Sequence, residues 1–505
     1  GIASGVNSGG VGGGSTNGVQ ISQGAISIKN GGTQSYIDFY CESSNAHYLR
    51  LQAPAHSAFS GNPTVTLPSS AGTIALTSSS ITGNAATATL ATSITASANN
   101  SSNETSRYVI YDFETTGRNS NWDQIIQVGA ILVDNKLNEL DRFEVRSSLK
   151  PGLIPEPGAL LVNNTSPEML AKSNLSHYSM IKVLSKKLSE WSPAIFMGYN
   201  SIDFDEEFLR KTLFKTLYNP YFTQLNGNKR CDILNMVRSA SIFLPEVIKF
   251  EKNNKGNPIL KLDQIAPLNN INHEAHDALG DVLATNEIAK ILSLKAEDIW
   301  NSALISSTRS EVNAKIKNEL LFCNSEFIYG KTKPFLVSFV CEHPVFKWPQ
   351  CFDLSKDPKE FFNMSKNELS IEIKKSPKVI RTIKDNKNPI IMDYNDYLKN
   401  SEFFEFSESE YIKRAKNLQE NSSFRSMISQ LLQEEFDKNN SFDSQEEILA
   451  EESLYKGGFF SNADKQLMNK FHKSDWSEKL KICDDFGDER SVSYTHLTLP
   501  TSDLV

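Results

Sequence analysis

The segment Tyr108-Val-Ile-Tyr-Asp-Phe-Glu-Thr-Thr-Gly117 constrains the chain most. Tyr108 to Tyr111 are apolar and β-prone; they run into Asp112 and Glu114, and Thr115, Thr116 and Gly117 then break the strand. Side chains alternate along a strand, so Asp112 and Glu114 share a face. Like charges that close are costly unless a cation lies between them. The segment predicts one wall of a metal site, carried on an α/β sheet.

Three further pieces supply the other walls. In Gly198-Tyr-Asn-Ser-Ile-Asp-Phe-Asp205, Asp205 stands where a strand and turn give way to a helix. In His276-Asp-Ala-Leu-Gly-Asp281, the end residues are five apart, about 140° around a helix. That spacing places His276 on the turn leading into the helix and Asp281 on its inward side. Asp112, Glu114, Asp205 and Asp281 form an all-oxygen donor set of the kind that suits Mg²⁺, with Mn²⁺ able to substitute. Two such ions can activate a water and stabilise a leaving oxygen of a phosphodiester. A histidine beside that water suits a general base, because its pKa lies near working pH. Taken singly, each piece has a plainer reading: a solvated strand end, helix N-terminal charge around Asp205, Glu206 and Glu207, a histidine near a cap. Their order along one chain favours metal-dependent phosphodiester hydrolysis. His273, three residues before His276, is expected to be structural or peripheral.

Composition bounds the rest. A chain of 505 residues allows about three domains, and 39% hydrophobic residues can build real cores. The net charge of −8 excludes a globally basic polyanion binder, so nucleic-acid contact must come from a local groove. Six scattered cysteines without a CxxC pair argue against a zinc ribbon or disulfide scaffold and suit a reducing, cytoplasmic setting. No apolar run approaches the ~20 residues of a membrane span. With neither an initiating Met nor a signal region, Gly1 is not expected to be the natural start.

Residues 1–105 are rich in Gly, Ser, Thr, Ala and Asn, with short alternating strands at Ala25–Lys29, Tyr36–Tyr40, Tyr48–Leu51 and Thr64–Leu67. This segment resembles β-structured virion proteins such as phage tail fibres; residues 90–106 also fit a flexible linker. From Arg107 the pattern is α/β. Strands are expected at 125–133, 141–145 and 195–199, and helices at 180–191, 205–217 and from 272. Residues 296–406 read as mixed strands (335–340, 379–383, 389–392) and 407–490 as amphipathic helices, with an acidic helix start at 443–448. Residues 491–505, including His496, resemble translated adapter DNA and carry no expected role.

The ordered set Asp112-Phe-Glu114-Thr-Thr-Gly, Gly198-Tyr-Asn200…Phe204-Asp205 and His276-Asp-Ala…Asp281 resembles the DEDD-type 3′–5′ exonucleases of the His subclass. Pro155-Glu-Pro-Gly-Ala159, Tyr218-Asn-Pro-Tyr221, Arg230-Cys-Asp-Ile-Leu234 and Gly457-Gly-Phe-Phe-Ser-Asn-Ala-Asp464 narrow the resemblance to the bacterial exonuclease I family. It implies an RNase H-like exonuclease domain at 106–295, an SH3-like domain at 296–406 and an incomplete helical domain at 407–490. The implied activity is processive digestion of single-stranded DNA from its 3′ end to 5′-mononucleotides, in DNA repair and recombination. Asp112, Glu114 and Asp281 would hold two Mg²⁺ ions, with Asp205 contributing to the second and His276 acting as base. Phe113, Glu114, Thr115, Arg210, Tyr221, Arg238 and Lys261 would contact the strand, the rings of Phe113, Tyr221 and Phe222 by stacking. Lys261 stands where the family has Arg, which keeps the charge but gives up bidentate phosphate geometry. Lysines near 249–261 and 374–387 could track phosphates from two sides of a groove. The turn Thr115–Gly117 would lie against the terminal nucleotide. Single-stranded DNA and a single-stranded DNA-binding protein are the expected partners of a monomer. An incomplete helical domain implies reduced processivity. The competing readings are a phage structural protein fused to a nuclease and a DEDD exonuclease acting on RNA ends; an assembly chimera joined near 100–106 is favoured over the fusion.

Overall fold

The computed structural model describes residues 18–22, 25–29, 34–40, 48–52, 107–273, 276–394, 403–440, 449–455 and 457–491. The expected strand at 64–67, the linker at 90–106, the acidic stretch at 443–448 and the tail with His496 lie outside these residues. The chain divides into two units, Gly1–Ser102 and Asn103–Val505. The first contains two antiparallel pairs: β1 (Gly18–Ser22) with β2 (Ala25–Lys29), and β3 (Tyr36–Tyr40) with β4 (Tyr48–Gln52).

The second unit is built on a mixed five-stranded sheet. Strands β5 (Tyr108–Thr115), β6 (Ile125–Val133) and β7 (Glu139–Arg146) form antiparallel neighbours. Two short helices, α1 (Pro157–Val162) and α2 (Pro167–Ala171), precede the long α3 (His177–Trp191). Strand β8 (Ile195–Gly198) then pairs in parallel with β5, and after α4 (Asp205–Lys215), β9 (Lys229–Asp232) pairs in parallel with β8. The order is β7-β6-β5-β8-β9.

Alternation along β5 decides what each face meets. Tyr108 and Ile110 join a core with α5 (Ile233–Phe243), α6 (Leu262–Leu268) and α7 (Ala278–Lys295), through Met236, Ile265, Val282 and Ile288. Val109, Tyr111 and Phe113 join the opposite core, with Met180, Leu184, Phe208 and Leu209 of α3 and α4. Asp112 and Glu114 therefore emerge on the face covered by α7, the helix that carries Asp281. Helix α7 lies hard against β6 at Gly129, where an added Cβ would sit 2.5 Å from the backbone carbon of Ala278. Gly129→Ala is expected to destabilise the protein by about 1–3 kcal/mol through overpacking, read as a lower Tm, and to lower activity by displacing Asp281.

Helices α8 (Glu297–Ile305) and α9 (Arg309–Asn318) follow, so the segment read as strands from 296 opens with helices. Helix α8 completes the first core, with Trp300 edge-on to Tyr108 at 5.7 Å. The second sheet is antiparallel and comprises β12 (Phe322–Ile328), β13 (Lys331–Glu342), β14 (Pro349–Asp353), β15 (Ile380–Thr382) and β16 (Ile391–Asp393), in the order β15-β14-β13-β12-β16. The ribbon of β10 (Glu251–Lys252) and β11 (Pro258–Ile259) lies apart from both sheets, and helices α10 (Lys359–Phe362) and α11 (Lys366–Glu372) fall between β14 and β15. Helices α12 (Glu408–Glu420) and α13 (Ser422–Asn440) dock on β13, where Gln419 Nε2 donates to Phe339 O at 2.7 Å and Arg425 Nε to Val340 O at 2.8 Å. Helices α14 (Asn462–Lys473) and α15 (Trp476–Cys483) return to the first layer through Tyr178 and Phe214. Cys231, Cys323, Cys341, Cys351 and Cys483 are free thiols, and no described helix is long and apolar enough to cross a membrane.

Candidate active site

At the end of β5 the carboxylates meet. Oxygens of Asp112, Glu114 and Asp281 lie within 4.8 Å of one another. They line a cleft of about 870 Å³ together with Asp205, His276, Thr115, Gly117, Tyr199 and Asn163. Asp205, 2% exposed at the start of α4, accepts the Phe113 N–H at 3.0 Å and so ties α4 to β5. His276 sits on the expected turn, at φ 64°, and its N–H donates to Asp281 Oδ1 at 3.3 Å. Asp277 caps α7 through the Gly280 N–H at 3.1 Å and is itself held by Gln127 Nε2 and Arg146 Nη2, each at 2.8 Å.

Burial and mutual repulsion raise these acids together. Burial comes first for Asp112, followed by the charges of Asp205, Asp281 and Glu114, and the group is pushed well above the carboxylate range. Glu114 is pushed up to about 7, by burial and then Asp281. Burial also lifts Asp205, against the opposing Phe113 N–H bond. A donor set of clustered anions that resists ionising is the chemistry a divalent cation relieves. The residues fit a metal ion, with Asp205 alongside the three-carboxylate set.

The turn after β5 is fixed by its own bonds. Thr115 Oγ1 donates to Gly117 O at 2.7 Å, Glu156 N to Thr116 O at 2.8 Å, and Asn163 Nδ2 to Thr115 O at 3.2 Å. Asn163, Tyr199 and Glu156 line the cleft and were missed as site residues. Glu156, inside the Pro155–Ala159 motif, and Tyr199, inside Gly198–Asn200, had a sequence signal; Asn163 had none.

The residues expected to contact the strand have partners within the chain. Phe113 is 4% exposed and its ring packs on Tyr111 at 5.3 Å in the core, because alternation turns it away from the acids, although the residue also lines the cleft. Phe222 packs edge-on against Phe196 at 5.9 Å. Arg210 is held inside, its Nη2 donating to Glu206 Oε1 at 3.1 Å and its Nη1 to the Tyr455 hydroxyl at 3.0 Å. Tyr221 faces a separate apolar cavity of about 450 Å³ with Phe459. Arg238 lies 4.2 Å over Phe327, in a third cavity. Lys261 is the N-cap of α6, beside Leu260, whose carbonyl accepts the Tyr199 hydroxyl. His273 is closer to the chemistry than expected: its ring, 3% exposed, bonds Asp281 Oδ1 through Nε2 at 2.5 Å.

The exonuclease family model of the RNase T type matches residues 109–289, which span all five acid and histidine positions. The chain is similar to the exodeoxyribonuclease I of Buchnera aphidicola subsp. Schizaphis graminum, 32% identical over 197 residues, 38% of this chain and 41% of that protein. It thus matches well under half the length of that relative. Escherichia coli exonuclease I in complex with a dA16 oligonucleotide shares the mixed α/β exonuclease fold, at TM-score 0.66 and 20% identity over 79% of this chain and 88% of that one. A structure described as SSB/exonuclease I in complex with inhibitor CFAM aligns at TM-score 0.62 and 21% identity, over 77% and 85% of the two chains.

Proposed function

We propose that the chain hydrolyses single-stranded DNA from the 3′ end, releasing 5′-mononucleotides, in DNA repair and recombination. The observation that carries this reading is the convergence of Asp112, Glu114 and Asp281 within 4.8 Å, in one cleft with Asp205 and His276, inside an exonuclease domain. Asp112, Glu114 and Asp281 would hold two Mg²⁺ ions, with Asp205 contributing to the second. When bound, the ions supply charge stabilisation at the scissile phosphate and a water made easier to deprotonate. His276 accepts the proton of the attacking water. The Thr115–Gly117 turn positions the terminal nucleotide, while Arg238 and Lys261 meet phosphates of the approaching strand.

In this reading residues 106–295 are the RNase H-like domain, the antiparallel second sheet belongs to an SH3-like domain at 296–406, and the helices of 407–490 form a third domain beside the strand. Single-stranded DNA and a single-stranded DNA-binding protein are the proposed partners of a monomer; the oligonucleotide and SSB named in the solved structures support both. Digestion of a 5′-labelled single strand should give a ladder shortening one nucleotide at a time from the 3′ end. Internal cuts, shortening from the 5′ end, or equal digestion of RNA would count against this assignment.

A further inference from the structure

The active-site loop Tyr199–Phe204 is held from outside the exonuclease domain. Asp232, 3% exposed at the end of β9, accepts three backbone N–H groups. Asn200 and Leu234 donate to its Oδ1 and Ile202 to its Oδ2, each at 3.0 Å. One carboxylate thus caps α5 and fixes the loop, which runs directly into Asp205. The next support comes from the segment Lys384–Ile390, between β15 and β16 of the second sheet. Asn388, 2% exposed at φ 48°, accepts the Asp232 N–H through Oδ1 at 2.9 Å and donates to Ala303 O at 2.8 Å. Lys387 Nζ donates to Asp203 Oδ1 at 2.8 Å and to Ile202 O at 3.3 Å. Asn235 Nδ2 donates to the carbonyls of Lys387 and Asn388 at 3.1 and 3.2 Å, and Arg230 Nη2 to Asn386 O at 3.3 Å.

We infer that Lys387, with Asn388 beneath it, is a positioning residue for the exonuclease reaction, contributed by the second sheet. It acts through Asp203 and Ile202 on the loop that sets Asp205. The inference rests on the exonuclease reading above. An ion pair whose side chains are 40% and 65% exposed adds little stability, so its removal leaves the fold intact. What it fixes is the loop two and three residues ahead of Asp205. Small displacements of a catalytic group can be costly in rate even when they originate away from the reacting atoms.

The test is steady-state kinetics of Lys387→Met, Lys387→Arg and Asp203→Asn on a short single-stranded oligonucleotide, with Mg²⁺ titrations and Tm values alongside. Lys387→Met and Asp203→Asn should each lower kcat by about tenfold, keep KM within about twofold, and raise the Mg²⁺ concentration for half-maximal rate. Lys387→Arg should restore most of the loss, and the double variant should lose no more than either single. A raised KM at unchanged kcat would make Lys387 a phosphate contact and overturn the inference. So would Arg and Met variants of equal rate, or additive losses. A wild-type protein inactive with Mg²⁺ would instead sink the exonuclease reading, whatever the variants did.

Discussion

His276→Ala is expected to lower kcat on single-stranded DNA by about 10²–10⁴-fold, the range lost with a general base, with little change in KM. The side chain lines the cleft beside Asp281, and its backbone sits at φ 64°, where few residues are at ease. His273→Ala should behave differently. That ring touches the Asp281 carboxylate and is itself 3% exposed, so its loss should raise the Mg²⁺ midpoint and lower Tm more than it lowers kcat at saturating metal. Equal losses for both histidines at saturating Mg²⁺ would remove the distinction between base and support.

The second large effect is on stability. Without metal, Glu114 titrates near 7 in the folded chain against 4.5 ordinarily, and Asp112 and Asp205 are raised as well. A raised carboxylate keeps its proton in the folded state while the unfolded chain has released it. Stability from Glu114 is therefore full below about pH 4.5 and is lost as pH rises through about 7, and Asp112 and Asp205 lose theirs in the same direction as pH rises. In EDTA, these acids should pull Tm down across that window, against His472 and His177, whose depressed imidazoles add stability as pH rises toward about 6.5. Asp232, pushed up to about 6, adds to the fall but lies outside the metal set, whereas Lys215, pushed down to about 7, brings stability back only above that pH. The difference between curves in Mg²⁺ and EDTA isolates the metal site. At about 100 times its Kd, Mg²⁺ adds about 2.7 kcal/mol, or about 3 °C in Tm for a unit of this size, at pH 7.5. The gain should shrink toward pH 5, where protons compete. Asp112→Asn should raise Tm in EDTA and abolish the response to Mg²⁺. A pH-independent Mg²⁺ effect would contradict the clustered-acid account.

The metal site was legible because its logic is local. Alternation puts Asp112 and Glu114 on one face, and a strand-to-helix switch and a helix entry place Asp205 and His276. Alternation also turns Phe113 to the other face, so its burial was there to be read. The strand contacts were harder. Arg210 carries the right charge, but Glu206 lies one turn back on the same helix and Tyr455 reaches it from 245 residues away. The Glu206 spacing was readable as a helical ion pair, but no local pattern shows the Tyr455 contact. The same holds for Asn163, Asp232 and Asn388, whose roles depend on backbone groups that only the folded chain brings near. Strand β9, four residues with charges at both ends, has too little periodicity to stand out, and its place in the sheet comes from the neighbouring β8.

The most direct test of the account is release of a 3′-terminal label from single-stranded and duplex DNA, by wild type in Mg²⁺, wild type in EDTA and Asp112→Ala in Mg²⁺. The account predicts rapid release of labelled mononucleotide from the single strand by wild type in Mg²⁺, little from the duplex, and background rates in EDTA and with Asp112→Ala. Release that survives either metal removal or the substitution would contradict it.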